Sequence, residues 1–118
     1  MPAAVADTSA LIFLAKLHRL EALAVFSPVL TTREVVDEVE AGMATGHDDV
    51  LAFRAALERR RIVVRRAPAA PAVFAHLGSG ERTVLALARR LPAATCVIDD
   101  LGAIKVAHSV GIRVRSTP

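Results

Sequence analysis

The sequence predicts an α/β fold, a three-layer α/β/α sandwich around a mostly parallel sheet. Three observations predict it. Short apolar runs alternate with stretches of helical period along the whole chain. Two of those runs, Val5-Ala6 and Thr95-Cys96-Val97-Ile98, stop at aspartates, Asp7 and Asp99-Asp100, and a helical pattern follows each. The runs carry no charge before those acids, as strands covered on both faces require. Such alternation gives a parallel sheet with helices on either side, joined by right-handed connections.

With 118 residues the chain is expected to form one domain over residues 1–118, large enough to bury a single real core. No apolar run approaches the roughly 18 residues that a bilayer crossing needs. No basic region precedes an apolar core at the N-terminus, so a secretory signal is not expected. Cys96 is the sole cysteine, which excludes an internal disulfide and fits a reducing compartment. A cytoplasmic location and no membrane association are the expectations. The net charge of +3 leans mildly towards polyanions. Aromatic residues make up 3% of the chain, all of them Phe, which argues against a base-stacking platform.

Residues 3–6 read as a short buried strand. From Ser9 to Leu20 the residues Leu11, Leu14, Leu17 and Leu20 recur at helical spacing, and Lys16, His18 and Arg19 fall late, where cations suit the helix dipole. A second helical piece, Glu21 to Phe26, is stopped by Ser27-Pro28. Val29 to Thr31 is a brief strand. Thr32 reads as the N-cap of a helix from Arg33 to about Glu40, with Gly42 just past its end. Met43 to Gly46 reads as loop.

Asp48 and Asp49 open the next helix and Arg59-Arg60-Arg61 close it, the charge order the dipole favours; Val50, Phe53 and Leu57 form its apolar stripe. Ile62-Val63-Val64 is β-branched and reads as a strand. After a Pro- and Ala-rich loop and a short helical piece near Val73–Leu77 comes Gly78-Ser79-Gly80-Glu81, then a strongly helical stretch, Arg82 to Leu91, ended by Pro92. Thr95 to Ile98 is a strand, Leu101 to Val110 a helix with Gly111 at its C-cap, and Ile112 to Arg115 a last strand.

In a parallel sheet all strand C-termini share one edge, so Asp7, Asp99 and Asp100 lie on the same side. Ligands of open α/β sheets bind in the crevice at that edge. Glu38 borders the apolar side made by Val35, Val36 and Val39, and Glu81 sits in the first turn of its helix. Each acid has a plainer role available: Asp7, Asp99 and Asp100 as N-caps, Glu81 as a complement to the dipole, Glu38 as a surface acid. Taken together they are harder to set aside. Like charges 4 Å apart repel by roughly 4 kcal/mol at a surface-like dielectric, and a cation relieves this. Oxygen-only ligands suit Mg²⁺ or Mn²⁺ rather than zinc, and such ions serve phosphoryl chemistry.

Four segments in order, Val5-Ala-Asp-Thr-Ser-Ala-Leu-Ile12, Thr32-Arg-Glu-Val-Val-Asp-Glu-Val-Glu40, Leu77-Gly-Ser-Gly-Glu81 and Cys96-Val-Ile-Asp-Asp-Leu-Gly-Ala-Ile-Lys-Val-Ala107, resemble a PIN domain. The likeness is greatest to the prokaryotic branch near the VapC-type toxins and runs from Val5 to Val114. It implies a ribonuclease that uses Mg²⁺ or Mn²⁺. The acids matching the family's catalytic positions are Asp7, Glu38, Glu81 and the pair Asp99-Asp100, of which Asp100 is the preferred match to the last acid. Asp7, Glu81 and Asp100 are the expected metal holders. Thr8 and Ser9 match the hydroxyl position beside the metal. Lys105 and Arg82 are the expected RNA contacts, with Arg113 and Arg115 as further candidates. The resemblance also implies an antitoxin protein over the acidic crevice and a homodimer. Relatives continue past the last strand, so a chain ending at Pro118 is expected to lack a C-terminal extension.

His18, His47, His76 and His108 show no ligand spacing and read as surface or packing residues. Cys96 reads as a small buried hydrophobe. Gly78-Ser79-Gly80 is not a phosphate-binding P-loop, since no Lys-Ser/Thr pair follows. Two other classes compete with the nuclease. One is a PIN-like module that binds RNA or protein without cleaving it. The other is a receiver-like domain, which wants a phosphoacceptor Asp in mid-chain, whereas Ile62-Val63-Val64 runs into Arg65-Arg66.

Overall fold

The computed structural model describes residues 2–43 and 47–116, without the side chains of His47 and Asp48. The expected loop at 44–46, the helix-opening role of Asp48, the surface reading of His47 and the chain end at Pro118 lie outside the described residues.

Five parallel strands form the sheet: β1 (Ala4–Ala6), β2 (Val29–Thr31), β3 (Val63–Val64), β4 (Thr95–Val97) and β5 (Val114–Arg115). Their spatial order is β3-β2-β1-β4-β5. Every described pairing is parallel, so the sheet is more uniform than the mostly parallel one expected. The chain builds outward from β1 through β2 to β3, then crosses back to lay β4 on the other side of β1. That reversal makes the C-terminal end of the β1–β4 pair the topological switch point, where such sheets open a crevice. The register Val5↔Cys96 and Ala6↔Val97 puts Asp7 and the end of β4 at the same level.

The helices are α1 (Thr8–Lys16), α2 (Arg33–Gly42), α3 (His47–Glu58), α4 (Ser79–Arg89) and α5 (Leu101–Ser109). In α1, Ala10, Leu11, Leu14 and Ala15 face the core. Val35, Val36 and Val39 do so in α2. Helix α4 buries Val84 through Ala88 without a gap. It packs against α2, β1 and β4 together, which is why its second half is buried on every side while its first turn carries Ser79, Glu81 and Arg82. Phe53 and Phe74 are the largest fully buried side chains.

Several boundaries differ from the sequence expectation: α4, for one, runs from Ser79 to Arg89 where Arg82 to Leu91 was expected. Helix α1 stops at Lys16 instead of Leu20, because His18 takes a left-handed backbone (φ 54°) and breaks the run. Leu17 then loses its place in the apolar stripe and is exposed. The segment Leu20–Val25 is a 3₁₀ helix, which changes the phase of its apolar residues and buries Leu23. Gly42 is the last residue of α2 and does not lie beyond it, and Met43 behind it is buried. A Cβ at Gly42 would come 2.9 Å from Ile12 Cδ1, so the missing side chain lets α2 close against α1. Of the expected α3 stripe, Phe53 is fully buried and Val50 and Leu57 only partly. No described helix is long and apolar enough to cross a membrane.

Candidate active site

The site forms where β1 and β4 end. Thr31, at the end of β2, donates its hydroxyl to the Ala6 carbonyl at 2.8 Å and ties down the last residue of β1. Asp7 follows. Its backbone N–H still bonds the Val97 carbonyl at 3.2 Å, so the residue is held in the sheet although its side chain has left it. The Asp7 carboxylate caps α1, accepting the Ala10 N–H at 2.9 Å and the Ser9 hydroxyl at 3.3 Å. The capping role that the sequence left open is therefore real.

Capping does not account for where Asp7 sits. It is wholly buried. Burial pushes its carboxyl up from the ordinary 3.8 to about 7; the Ala10 N–H and the Ser9 hydroxyl oppose the rise, and the charges of Glu81 and Asp99 add to it. Capping by itself lowers a carboxylate's pKa, so the rise at Asp7 comes from a burial that disfavours its charge.

Glu81 is the third residue of α4. Its carboxylate accepts the backbone N–H of Gly78, the residue that precedes the helix. This is the returning half of a capping box, the other half being absent because Gly78 has no side chain. Burial first, then the nearby Asp100, push the Glu81 carboxyl above its ordinary value, and the charge of Glu38 adds to the rise. Asp100 lies close enough to Glu81 that its charge and a side-chain contact both act on it. Asp100 also caps α5 through the Ala103 N–H at 2.8 Å. Asp99 is half-buried beside it and acts on Asp7 through its charge.

Glu38 reaches into the same crevice from α2. One carboxylate oxygen accepts the Thr8 hydroxyl at 2.5 Å. The other accepts the Ser79 hydroxyl at 3.1 Å and the Gly80 N–H at 3.3 Å. Deeper in, the Thr32 and Thr83 hydroxyls meet at 2.8 Å. Thr83 donates to the Ser79 and Gly80 carbonyls at 2.8 and 3.0 Å, so the proton between the threonines comes from Thr32.

All five expected acids thus line one crevice, and Thr8 and Ser9 hydrogen-bond to two of them. The sequence missed the contribution of Ser79, Gly80, Thr32 and Thr83. Thr32 was legible as an N-cap and Ser79-Gly80 as a helix start, but their pairing across the chain has no local signal. Of the expected RNA contacts, Lys105 is exposed on α5, free to meet a phosphate. Arg82 is half-buried and donates to the Leu77 carbonyl at 3.1 Å, so part of its donor capacity is already taken. Arg113 and Arg115 are exposed near β5, at the far edge of the sheet. Cys96 lies fully buried in β4 and burial pushes its thiol well above the ordinary range, which makes it inert, as read.

The ion pairs among the described residues join Arg19 to Glu21 and Arg54 to Glu40, both outside the crevice. Among the described residues no ion pair offsets Asp7, Glu38, Glu81 or Asp100. Their donor set, hard carboxylate oxygens alone, fits Mg²⁺ or Mn²⁺. Among the described residues no three His, Cys, Asp or Glu side chains are gathered as a finished ligand set. The reason is visible in the bonds: Asp7 and Asp100 are turned to their helix caps, and Glu38 is engaged on both oxygens.

Comparison with known proteins agrees with this fold. The family model DUF3368, described as a PIN domain, matches residues 3–117. Among solved structures, a PilT N-terminus domain protein from the hyperthermophilic archaeon Sulfolobus solfataricus P2 superposes with a TM-score of 0.64 at 19% identity, covering 97% of this chain and 86% of that one. A domain of a functionally unknown protein from Methanocaldococcus jannaschii DSM 2661 superposes with a TM-score of 0.66 at 18% identity, covering 100% of this chain and 92% of that one. At such identities the likeness establishes the fold. No curated protein has a significantly similar sequence. With nearly its whole length matched, the chain belongs to the PIN domain family, a family that includes nucleases.

Proposed function

We propose that this PIN domain is a Mg²⁺- or Mn²⁺-dependent endoribonuclease that cleaves single-stranded RNA at the crevice between β1 and β4. The observation that carries the reading is the buried Asp7 at the switch point, with the charges of Glu81 and Asp99 acting on it and, among the described residues, no ion pair to offset it. Burying a carboxylate is costly even where a helix N–H and a hydroxyl bond to it. A fold keeps such a group where a ligand makes good the cost.

Asp7, Glu81 and Asp100 would hold the cation, with Asp99 beside them. When bound, a divalent cation lowers the pKa of a coordinated water and offsets charge on a phosphate in displacement. The chain's own residues do the rest. The Ala10 N–H fixes one Asp7 oxygen in the α1 cap, and the other, which has the longer Ser9 contact, would take the cation. Glu81 is fixed through the Gly78 N–H. Glu81 and Asp100 lie close enough for their charges to act on each other, and a cation held between them would offset that repulsion. Lys105, and the exposed arginines near β5, would grip the RNA backbone by charge. Phosphate contacts of that kind position a strand without reading its bases.

In a cell this activity fits the toxin of a toxin–antitoxin pair, with a protein antitoxin closing the crevice, and a homodimer as its working form. Co-expression with the product of an adjacent small gene tests the pairing: relief of growth arrest supports it. A second reading is a PIN module that binds RNA or protein without cutting. What favours it is the lack of a gathered three-carboxylate set among the described residues.

One experiment separates them. A pool of single-stranded RNA is incubated with wild type in Mg²⁺ or Mn²⁺, in EDTA, and with the Asp7→Asn variant. Cleavage that needs the metal and is lost in the variant supports the nuclease. RNA retention by both proteins with no cleavage by either supports the binding module.

A further inference from the structure

We infer that Glu38 is a positioning residue that clamps the N-terminus of α4 to that of α1, and that it does not ligate the cation. The inference rests on the proposed metal-dependent site but is argued from contacts that exist without any metal.

Both Glu38 oxygens are committed. One is taken by the Thr8 hydroxyl, from the first residue of α1; the other by the Ser79 hydroxyl and the Gly80 N–H, from the first two residues of α4. The early N–H groups of a helix have no partner within it. Gly78 precedes α4 with no side chain to cap it, so Glu38 supplies from α2 the cap that local sequence does not. Its negative charge also faces two helix N-termini at once, where the dipoles favour it.

Gly80 reports how tight the clamp is. A Cβ there would overlap the Glu38 carboxylate and come within 2.7 Å of Thr8 Oγ1. Only glycine lets α4 approach this closely. The Thr32–Thr83 hydroxyl contact holds α2 to α4 one turn further along. Glu81 follows Gly80 directly, so the clamp sets where its carboxylate meets Asp100. Asp7 precedes Thr8, so the same carboxylate indexes the other side of the crevice.

The test compares Glu38→Gln, Glu38→Ala, Gly80→Ala and Ser79→Ala. A glutamine side chain can preserve the clamp: its carbonyl accepts from Ser79 and Gly80, and its amide donates to the Thr8 hydroxyl. Two readouts are taken: amide hydrogen exchange across Gly80–Thr83 in metal-free protein, and the Mn²⁺ dissociation constant. The clamp predicts that Glu38→Gln stays within about threefold of wild type in both. It predicts that Glu38→Ala and Gly80→Ala speed exchange about tenfold, the loss of one hydrogen bond's worth of protection, and weaken Mn²⁺ by about tenfold, as loss of a supporting contact does. Ser79→Ala should move both in the same direction by less, and it covers the case in which Gly80→Ala does not fold. A ligand role gives the opposite pattern: Glu38→Gln as damaging to Mn²⁺ binding as Glu38→Ala, with Gly80→Ala near wild type and exchange unchanged throughout. That pattern overturns the inference. If wild type binds no Mn²⁺ at all, the proposed function fails, while the exchange measurement still decides the clamp.

Discussion

The Thr32 and Thr83 hydroxyls lie 2.8 Å apart although 51 residues separate them in the chain. Thr32 accepts the Val35 N–H as an N-cap and passes its own proton to Thr83, which passes its proton to the first carbonyls of α4. The chain joins the starts of two helices below the acidic crevice. Thr83→Val keeps the shape and removes the link. We expect it to lower stability by about 1–2 kcal/mol, the cost of leaving a buried partner unsatisfied. Thr83→Ser should restore most of that. Urea midpoints at constant slope are the check.

The acidic cluster makes stability depend on pH. The Asp7 carboxyl titrates at about 7 in the folded chain and at its ordinary 3.8 when unfolded, chiefly because it is buried. Between those values the folded state holds a proton that the unfolded state has released. Stability from this group is therefore complete below about pH 4 and is lost as pH rises towards 7. The full span corresponds to at most roughly 4 kcal/mol. Glu81 moves in the same direction. Metal-free protein should melt at lower temperature at pH 8 than at pH 5, and Asp7→Asn should flatten the profile. Mg²⁺ should raise the melting temperature more at pH 8, where it does not compete with the proton. A wild-type profile that rises from pH 5 to 8 without metal would contradict this.

Lys105 is exposed on α5, a short way past the Asp100 cap. If it meets a phosphate, Lys105→Ala should raise KM for RNA while leaving kcat nearly unchanged. The slope of log affinity against log salt should fall by about 0.7, the value for one contact on a single strand. Arg82→Ala should behave differently, lowering stability as well, because its guanidinium also holds the Leu77 carbonyl. An unchanged salt slope in Lys105→Ala would remove that residue from the RNA path.

Phe53 in α3 is completely buried and far along the chain from the crevice residues. Phe53→Ala should cost about 3–5 kcal/mol, the usual loss for a truncated core aromatic. At temperatures where it stays folded, its Mn²⁺ affinity should match wild type. That contrast separates damage to the core from damage to the site.

The sheet was legible because parallel strands buried on both faces leave a plain signature, and because Asp7 and Asp99-Asp100 each end an uncharged run. That Asp7, Asp99 and Asp100 share one edge followed from strand direction, whereas Glu38 and Glu81 joined them through their helix positions and the family resemblance. Two things were not legible. The end of α1 depended on His18 entering a left-handed conformation, and nothing in Lys16-Leu17-His18-Arg19 announces that, since the leucine spacing continues through it. The clamp on Glu38 joins residues on three helices, and local spacing says nothing about such distances. Gly80 was visible only as part of a turn. Its need for zero side chain comes from Glu38, which lies 42 residues earlier.

The central claim is that the buried carboxylate at the end of β1 anchors a divalent cation. Isothermal titration of Mn²⁺ into wild type and Asp7→Asn at pH 7.5 tests it most directly. The variant retains an oxygen able to accept the Ala10 N–H, so the α1 cap survives and only the charge is lost. The account predicts saturable binding in wild type, accompanied by proton release, and a loss of at least tenfold in affinity for the variant. Equal Mn²⁺ binding by the two proteins, or none by wild type, would contradict it.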